Sequence, residues 1–388
     1  MTSADAGYCV RFVDSITLVP APQWNALAGP DYPFLRHEFL AALESTGCTT
    51  ATTGWQPQHL LVESAGKVLK AVMPLYVKTN SMGEYVFDWS WADAYQRHGM
   101  DYYPKLVTSI PFTPCPGPRL CVAADCDFAV IVALVQKSVL GLCEVMPASG
   151  WHVLFPREDL RDALIADGMI LRTGCQYQWF NQDYDNFDHF LAGFASRKRK
   201  NLRKERSTVQ EAGITCHALE GADVSTAEWE QFYQFYASTY YVRGRRPYLN
   251  AEFFRQLSRS MPEHLMLVLA RLGKHAIAGA LFFKGSDTLY GRYWGADKDV
   301  PFLHFETCYY QGIDYCIRHG IKRIDSGAQG EHKIQRGFAP VPTWSAHWIR
   351  HPDFRRAIAG HVKEEEMHIG DYIQRASSYL PFRKDLQL

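Results

Sequence analysis

The stretch His264–Trp294 reads HLMLVLARLGKHAIAGALFFKGSDTLYGRYW, and it decides the fold. It contains three apolar, β-prone runs, His264–Arg271, His275–Phe283 and Thr288–Trp294, which read as successive strands. Side chains alternate along a strand, so period two puts Tyr290, Arg292 and Trp294 on one face of the third run. Leu289, Gly291, Tyr293 and Gly295 fall on the other. Next, Phe305, Cys308, Tyr309, Gly312, Ile313, Cys316 and Ile317 recur at helical spacing, with Gly320 as the stop. Ile321–Asp325 is again strand-like. Three strands, a helix and a further strand form the nucleus of a mixed sheet flanked by helices.

Outward from this nucleus, strands and helices alternate, which predicts an α/β (α+β) chain. Upstream lie a helix over about Phe187–Ala212, a strand over Ile214–Ala218, an aromatic helical stripe (Trp229, Phe232, Tyr233, Tyr236 and Tyr240) and a helix over about Ala251–Ser260. Downstream lie a strand at Trp344–Ile349 and a long helix from about Asp353 to Tyr379. The first half has a similar order. Strands are expected at Tyr8–Val13, His59–Glu63, Val68–Lys78, Trp151–Phe155 and Leu171–Phe180, with an apolar run at Tyr85–Phe87. Helices are expected over Phe34–Leu43 and Phe128 to about Val145. Pro74 weakens the Val68–Lys78 run or puts it at an edge. The polar stretch Asp183–Asn186 divides the halves, giving modules over 1–184 and 185–388.

With 388 residues, 41 basic and 41 acidic, the chain has no formal net charge. That excludes a globally basic nucleic-acid binder and a highly charged disordered chain. The ten cysteines include no C-x-x-C pair, which argues against a zinc ribbon and for free thiols in a reducing cytoplasm. Met1–Val10 has no basic-then-apolar signal pattern. Phe128–Leu142 is the richest apolar stretch, and Gln136 and Lys137 break it short of a bilayer span. No integral membrane contact is expected.

Three groups of residues carry chemistry. Arg197–Arg206 (RKRKNLRKER) holds seven basic residues in ten. With Leu202 facing inward, Arg199, Lys200, Arg203 and Arg206 point mostly outward. The run reads as a solvated helix face or as an electrostatic footprint for the phosphates of a nucleotide-linked or tRNA-linked substrate. Gly327–Lys333 follows the Ile321–Asp325 strand, and it is neither a P-loop nor a zincin motif. Glu331, His332 and Lys333 would place base, acid and cation on one loop. Arg336 reads as a second anion contact or a surface salt bridge. His304 and Glu306 open the Phe305–Ile317 helix, whose N-terminus favours anions. His304 is a catalytic or a packed histidine, and Glu306 a general base or a first-turn acid. Tyr290, Arg292 and Trp294 suit a groove gripping a carboxylate or phosphate. In the first half Glu84, Asp88, Asp93 and Tyr95 form an acidic and aromatic cluster, with turn and cap roles expected for Asp88 and Asp93.

From about Phe34 to Phe382 the chain resembles the FemAB-like branch of the GNAT N-acyltransferase superfamily, which includes peptidoglycan-biosynthesis proteins. The resemblance is carried by Glu84–Trp89 (EYVFDW), Tyr102–Leu106 (YYPKL) and Pro111–Pro114 (PFTP) in the first half. In the second it is carried by Arg197–Arg206, Gly244–Leu249 (GRRPYL), Leu289–Gly295 (LYGRYWG), His304–Gln311 (HFETCYYQ) and Gly327–Phe338 (GAQGEHKIQRGF). It implies two tandem GNAT-like modules and transfer of an acyl or aminoacyl group to a small amine acceptor, with Lys333 stabilising charge on the tetrahedral intermediate. No bound cofactor is implied. Either aminoacyl-tRNA or acyl-CoA would be the donor. Gly295–His304 lacks the glycine pattern with which acetyl-CoA-dependent relatives hold a pyrophosphate, which favours aminoacyl-tRNA. The alternative is a non-catalytic binding protein for a cell-wall precursor or RNA. The sequence leaves the oligomeric state open.

Overall fold

Pro74 divides the apolar run Val68–Lys78 into two strands, Leu69–Met73 and Tyr76–Lys78, and these join different sheets. Proline has no N–H to give to a ladder, and the pairing breaks at it here. The structure is a computed structural model that describes residues 7–328 and 330–383. Its strands are β1 Tyr8–Val13, β2 Trp55–Pro57, β3 His59–Ser64, β4 Leu69–Met73, β5 Tyr76–Lys78, β6 Lys105–Thr108, β7 Cys121–Val122 and β8 Gly150–Leu154. They continue as β9 Ile170–Phe180, β10 Ile214–Glu220, β11 Leu265–Leu272, β12 His275–Lys284, β13 Thr288–Ala296, β14 Arg323–Asp325 and β15 Ala339–Ile349.

The chain folds into two compact units. The first comprises Met1–Gly174 and Pro342–Gly370; the second comprises Cys175–Val341 and Asp371–Leu388. The chain leaves the first unit within β9, not in the polar Asp183–Asn186 turn, and returns to it within β15. In the first unit β1, β3, β4 and β7 form an antiparallel sheet. A second sheet runs β2-β5-β6-β8, with Ser345–Ile349 of β15 beside β8. The β6–β8 pair is parallel, so its connection crosses over through a helix, Phe128–Val145. Asp127 caps that helix by accepting from Ala129 N and Val130 N. The helix runs three residues beyond Leu142, and its length and composition suffice to cross a membrane. One of its faces, Ile131, Val132, Val135, Val139 and Cys143, packs into the first unit's core with Leu60, Val62, Trp151 and Val153.

The second unit's sheet is ordered β10-β11-β12-β13-β14 and ends on Gln178–Phe180 of β9. Its pairs are antiparallel except β13–β14. The expected strand–strand–strand–helix–strand nucleus is present, with three local changes. Gly193–Ala195 interrupts the basic helix, leaving Phe187–Ala192 and Ser196–Glu211. The helix after β13 begins at Leu303, passes through a π turn at Glu306–Tyr310 and ends at Gly320, which has φ +66°. Finally, β13 carries a bulge: Leu281 pairs with Tyr293 but Phe282 pairs with Gly291, leaving Arg292 as the extra residue. One extra residue reverses the alternation beyond it, so Tyr290, Arg292 and Trp294 do not share the face that period two predicts. Tyr293 meets Tyr236 and Phe254, whereas Trp294 packs beside His304.

Candidate active site

Strands β13 and β14 pair only over Thr288–Tyr290 and Arg323–Asp325. Beyond that point β13 continues to Ala296, while the chain after Asp325 turns away, and a fork opens. A cavity of about 250 Å³ lies in it, lined by Phe282, Gly291, Arg292, Trp294, His304, Cys308, Tyr309, Ser326, His332 and Lys333, with parts of β12. The bulge at Arg292 and the helix entered at Leu303 put cationic and imidazole side chains among aromatic and aliphatic ones on one hollow, the general make-up of a ligand site.

Lys333 is buried and donates from Nζ to the carbonyls of Ser326 (2.7 Å) and Gly327 (3.1 Å). An ammonium has three N–H bonds, and these carbonyls are its two hydrogen-bond partners among the described residues, so one remains for a group in the cavity. Burial pushes the Lys333 pKa down to about 8; Asp325 opposes the shift and Arg292 adds to it. Asp325 is fully buried and accepts from Gly327 N at 2.9 Å, and burial raises its own pKa. His304 packs against the rings of Trp294, Phe305 and Tyr309. Burial, with His332, Lys333 and Arg336 nearby, lowers its pKa to about 4. His332 is exposed on one side; its Nε2 shares a 2.9 Å hydrogen bond with the Tyr309 hydroxyl, and partial desolvation, with Arg336 and Lys333 nearby, lowers its pKa. Both imidazoles are therefore neutral at neutral pH. Gly330, at φ +115°, lets the His332 ring approach: a Cβ there would lie 2.5 Å from His332 Cε1. Burial holds the Cys308 pKa up at about 12, so its thiol is no nucleophile at neutral pH.

The structure thus brings together His304, His332, Lys333, Arg292 and Trp294. The other residues singled out in the sequence lie elsewhere. Tyr290 is buried beyond the fork, opposite Asp325. Glu306 is buried in an ion pair with Arg206 (3.0 Å) and accepts from Gln311 (2.8 Å). The helix starts before it, so Glu306 sits within the π turn and not at the N-terminus. Glu331 is exposed and accepts from the Tyr372 hydroxyl at 2.8 Å. Arg336 is buried, donating to His332 O (2.7 Å) and Glu205 (2.8 Å), with its guanidinium 3.3 Å from the centre of the Phe305 ring. It is an internal brace and not a surface salt bridge. On the Ser196–Glu211 helix, Arg203 bonds Asp188 at 2.8 Å and Lys198 bonds Gln335. Among the described residues, Arg197, Arg199, Lys200 and Lys204 have no ion-pair partner. Not picked from sequence are Asp325, which acts on Lys333 from outside the cavity lining, and the lining residues Ser326, Tyr309 and Cys308. The strand exit Asp325-Ser326-Gly327 is a legible signal for the first two. Tyr309 and Cys308 lie on a stripe that reads as core.

The first unit holds a closed charge cluster. Lys105 Nζ bonds Glu84 (2.8 Å), Ser81 (2.9 Å) and Asp88. Asp88 also accepts from the Tyr102 hydroxyl at 2.6 Å. Lys78 lies 3.9 Å from Glu84 and 3.8 Å over the Trp55 ring. No side chain of the four is more than 4% exposed. Asp88 directly precedes the helix Trp89–Arg97 but makes no capping bond. The expected cap role is corrected: its carboxylate turns inward to Lys105. Behind this group the buried His152 and His347 share a 2.7 Å Nδ1–Nδ1 hydrogen bond.

The first unit packs helices on an antiparallel and a mixed sheet, the second on a mixed sheet, and the molecule is GNAT-like in fold. More particularly, the chain belongs to the FemAB-like family, described as peptidoglycan biosynthesis/recognition, whose family model matches residues 15–384. The chain is similar to the crystal structure of FemX, with a TM-score of 0.53 and 13% identity over 88% of this chain and 98% of that one. It is similar also to the C-terminal domain of a putative lysylphosphatidylglycerol synthetase from Agrobacterium fabrum, with a TM-score of 0.54 and 10% identity over 87% and 94% of the two chains. A conserved protein of unknown function from Bacteroides thetaiotaomicron has a TM-score of 0.53 and 10% identity over 88% and 100%. At such identities the shared property is the fold. No protein of curated function matches the chain in sequence.

Proposed function

We propose that the protein transfers an aminoacyl or acyl group to an amine, with the β13–β14 cavity as its active site. The observation that carries this reading is the meeting of a two-carbonyl-bound Lys333 with the neutral His304 and His332 in one cavity. The amine nitrogen attacks the acyl carbonyl carbon, a C–N bond forms, and the ester or thioester bond of the donor breaks. His332 takes the proton the amine loses and passes it to the oxygen or sulfur of the departing group. The third N–H of Lys333 meets the oxygen on which negative charge develops, and Arg292 adds positive potential. His304, held well below the ordinary histidine range, shapes the cavity with Trp294. Glu306 and Glu331, engaged by Arg206 and Tyr372, have no part in the chemistry.

An aminoacyl-tRNA donor is supported by Arg197, Arg199, Lys200 and Lys204, which leave the Ser196–Glu211 helix with charge uncompensated by ion pairs. A nucleotide-linked precursor of the cell wall, carrying the amine, fits the family description. The test is to incubate the protein with charged tRNA or with acyl-CoA, plus amine acceptors, and to search for new amide masses. Ribonuclease-sensitive product supports the tRNA donor, and product from the thioester alone overturns it. Binding of a precursor with no product from either donor overturns catalysis in favour of recognition.

A further inference from the structure

Lys333 is reached from two directions by one residue of β9. Tyr177 is buried, and its main-chain carbonyl accepts from Ser326 Oγ at 2.9 Å. Its phenol meets the hydroxyl of Tyr372, and Tyr372 donates to Glu331 Oε1 at 2.8 Å. Each phenol has one proton, so Tyr177 donates to Tyr372 while Tyr372 donates to Glu331. Ser326 supplies one of the carbonyls that hold the Lys333 ammonium. Glu331 opens the short helix Glu331–Arg336 that carries His332 and Lys333. Both ends of the Lys333–Ser326 bond are therefore fastened to Tyr177, and the ammonium lies 5.9 Å from the centre of its ring.

We infer that Tyr177, Tyr372 and Glu331 form a positioning chain that fixes where the Lys333 ammonium sits in the cavity, an inference that rests on the transferase reading above. Glu331 is then an anchor in place of the base its sequence context suggests. The chain works by geometry. Two carbonyls can hold an ammonium, with its third N–H free for substrate, only if donor and acceptor segments keep a constant separation. Releasing Glu331 frees the start of the short helix and lets water reach Lys333.

The test reads Lys333 directly and needs no turnover. The full chain is trace-labelled with acetic anhydride across a pH series, and each lysine is quantified by peptide mass. Lys363, exposed on the Pro352–Ser377 helix, is the internal control. In the native protein Lys333 should titrate near pH 8. In Tyr372→Phe and Glu331→Ala the midpoint should rise toward the ordinary lysine value as burial is relieved. Each unit of rise lowers labelling at a fixed pH below the midpoint about tenfold. Glu331→Gln retains an oxygen that accepts from Tyr372 and should stay with the native protein. The double variant Tyr372→Phe with Glu331→Ala should move no further than either single one. Native midpoints in folded Tyr372→Phe and Glu331→Ala would overturn the chain. So would a Glu331→Gln variant with unchanged Lys333 labelling and abolished turnover, which would make Glu331 the base. A shifted Lys333 midpoint, with no transfer product from any donor, would sustain the chain and overturn the transferase reading.

Discussion

Lys105 in the first unit and Lys333 in the second are both almost wholly buried, yet their amines are pushed in opposite directions. Burial alone would depress both. Lys105 has Glu84 and Asp88 within bonding distance and its pKa is raised despite burial. Lys333 has two neutral carbonyls, Asp325 farther off and Arg292 nearby, and its pKa falls to about 8. The partners decide, not the depth. Carboxylates at bonding distance make a lysine a permanent cation locked in the core. Carbonyl partners leave it a cation by a small margin, with one donor for something outside the protein.

The sharpest break in this comparison is Lys105→Met. It leaves Glu84 and Asp88 buried without their main counter-charge and should cost about 3–5 kcal/mol of stability, read by denaturant unfolding. Lys333→Met removes no carboxylate's bonded partner and should change stability far less. A comparable loss in both variants would show that Lys333 too is structural. Next in size, Lys333→Ala should lower kcat about 10²–10³-fold once a substrate is in hand, as expected for loss of a group that stabilises developing charge. Full turnover in that variant would remove Lys333 from the chemistry.

The pH dependence sharpens the contrast further. Transfer needs Lys333 protonated and His332 neutral, so kcat should fall above about pH 8. It should fall again on the acid side at a pH below the ordinary histidine value, because partial desolvation lowers His332. For stability the signs are worked out on the other cluster. Glu84 is raised to about 7, so its favourable term is complete below the unfolded carboxyl value and lost as pH rises through about 7. Lys78 is lowered to about 7, so its term is complete only above the unfolded lysine value and lost as pH falls through about 7. The two terms oppose each other, and the four-residue cluster passes from net positive to net negative as pH rises through about 7. Lys78→Met should therefore shift the stability optimum toward acid, where Glu84 is protonated. An unmoved optimum would uncouple Lys78 from Glu84. The smallest expected effect is on the basic helix. Arg199→Glu with Lys200→Glu should flatten the salt dependence of tRNA binding, the slope falling by about 0.7 for each phosphate that is no longer neutralised, and should leave the fold intact. An unchanged slope would place the tRNA elsewhere on the protein.

Much of this was legible in the residues. The order of strands and helices around His264–Asp325 follows from apolar periodicity, and the loop bearing His332 and Lys333 follows from glycines at a strand exit. His304, Arg292 and Trp294 were also legible as candidate site residues, and they do line one cavity. The separate placement of Tyr290 was not, because period two is blind to a bulge, and the extra residue at position 292 parts Tyr290 from Trp294. Glu306 and Arg336 read as chemical groups because a sequence shows charge and not partner. Arg206 and Glu205, a hundred or more residues away in the chain, neutralise them.

By itself the sequence determined the class of fold, the FemAB-like motifs and the loop on which the chemistry is proposed. Local propensity and short-range spacing suffice for those. Only the tertiary structure decided which charges are in use. Asp88 lies fourteen residues from its partner Tyr102, and Glu331 lies forty-one from Tyr372. Whether a carboxylate is a base, a cap or an anchor depends on the donor that reaches it. That donor is brought by packing between elements whose separation in the chain carries no trace of it.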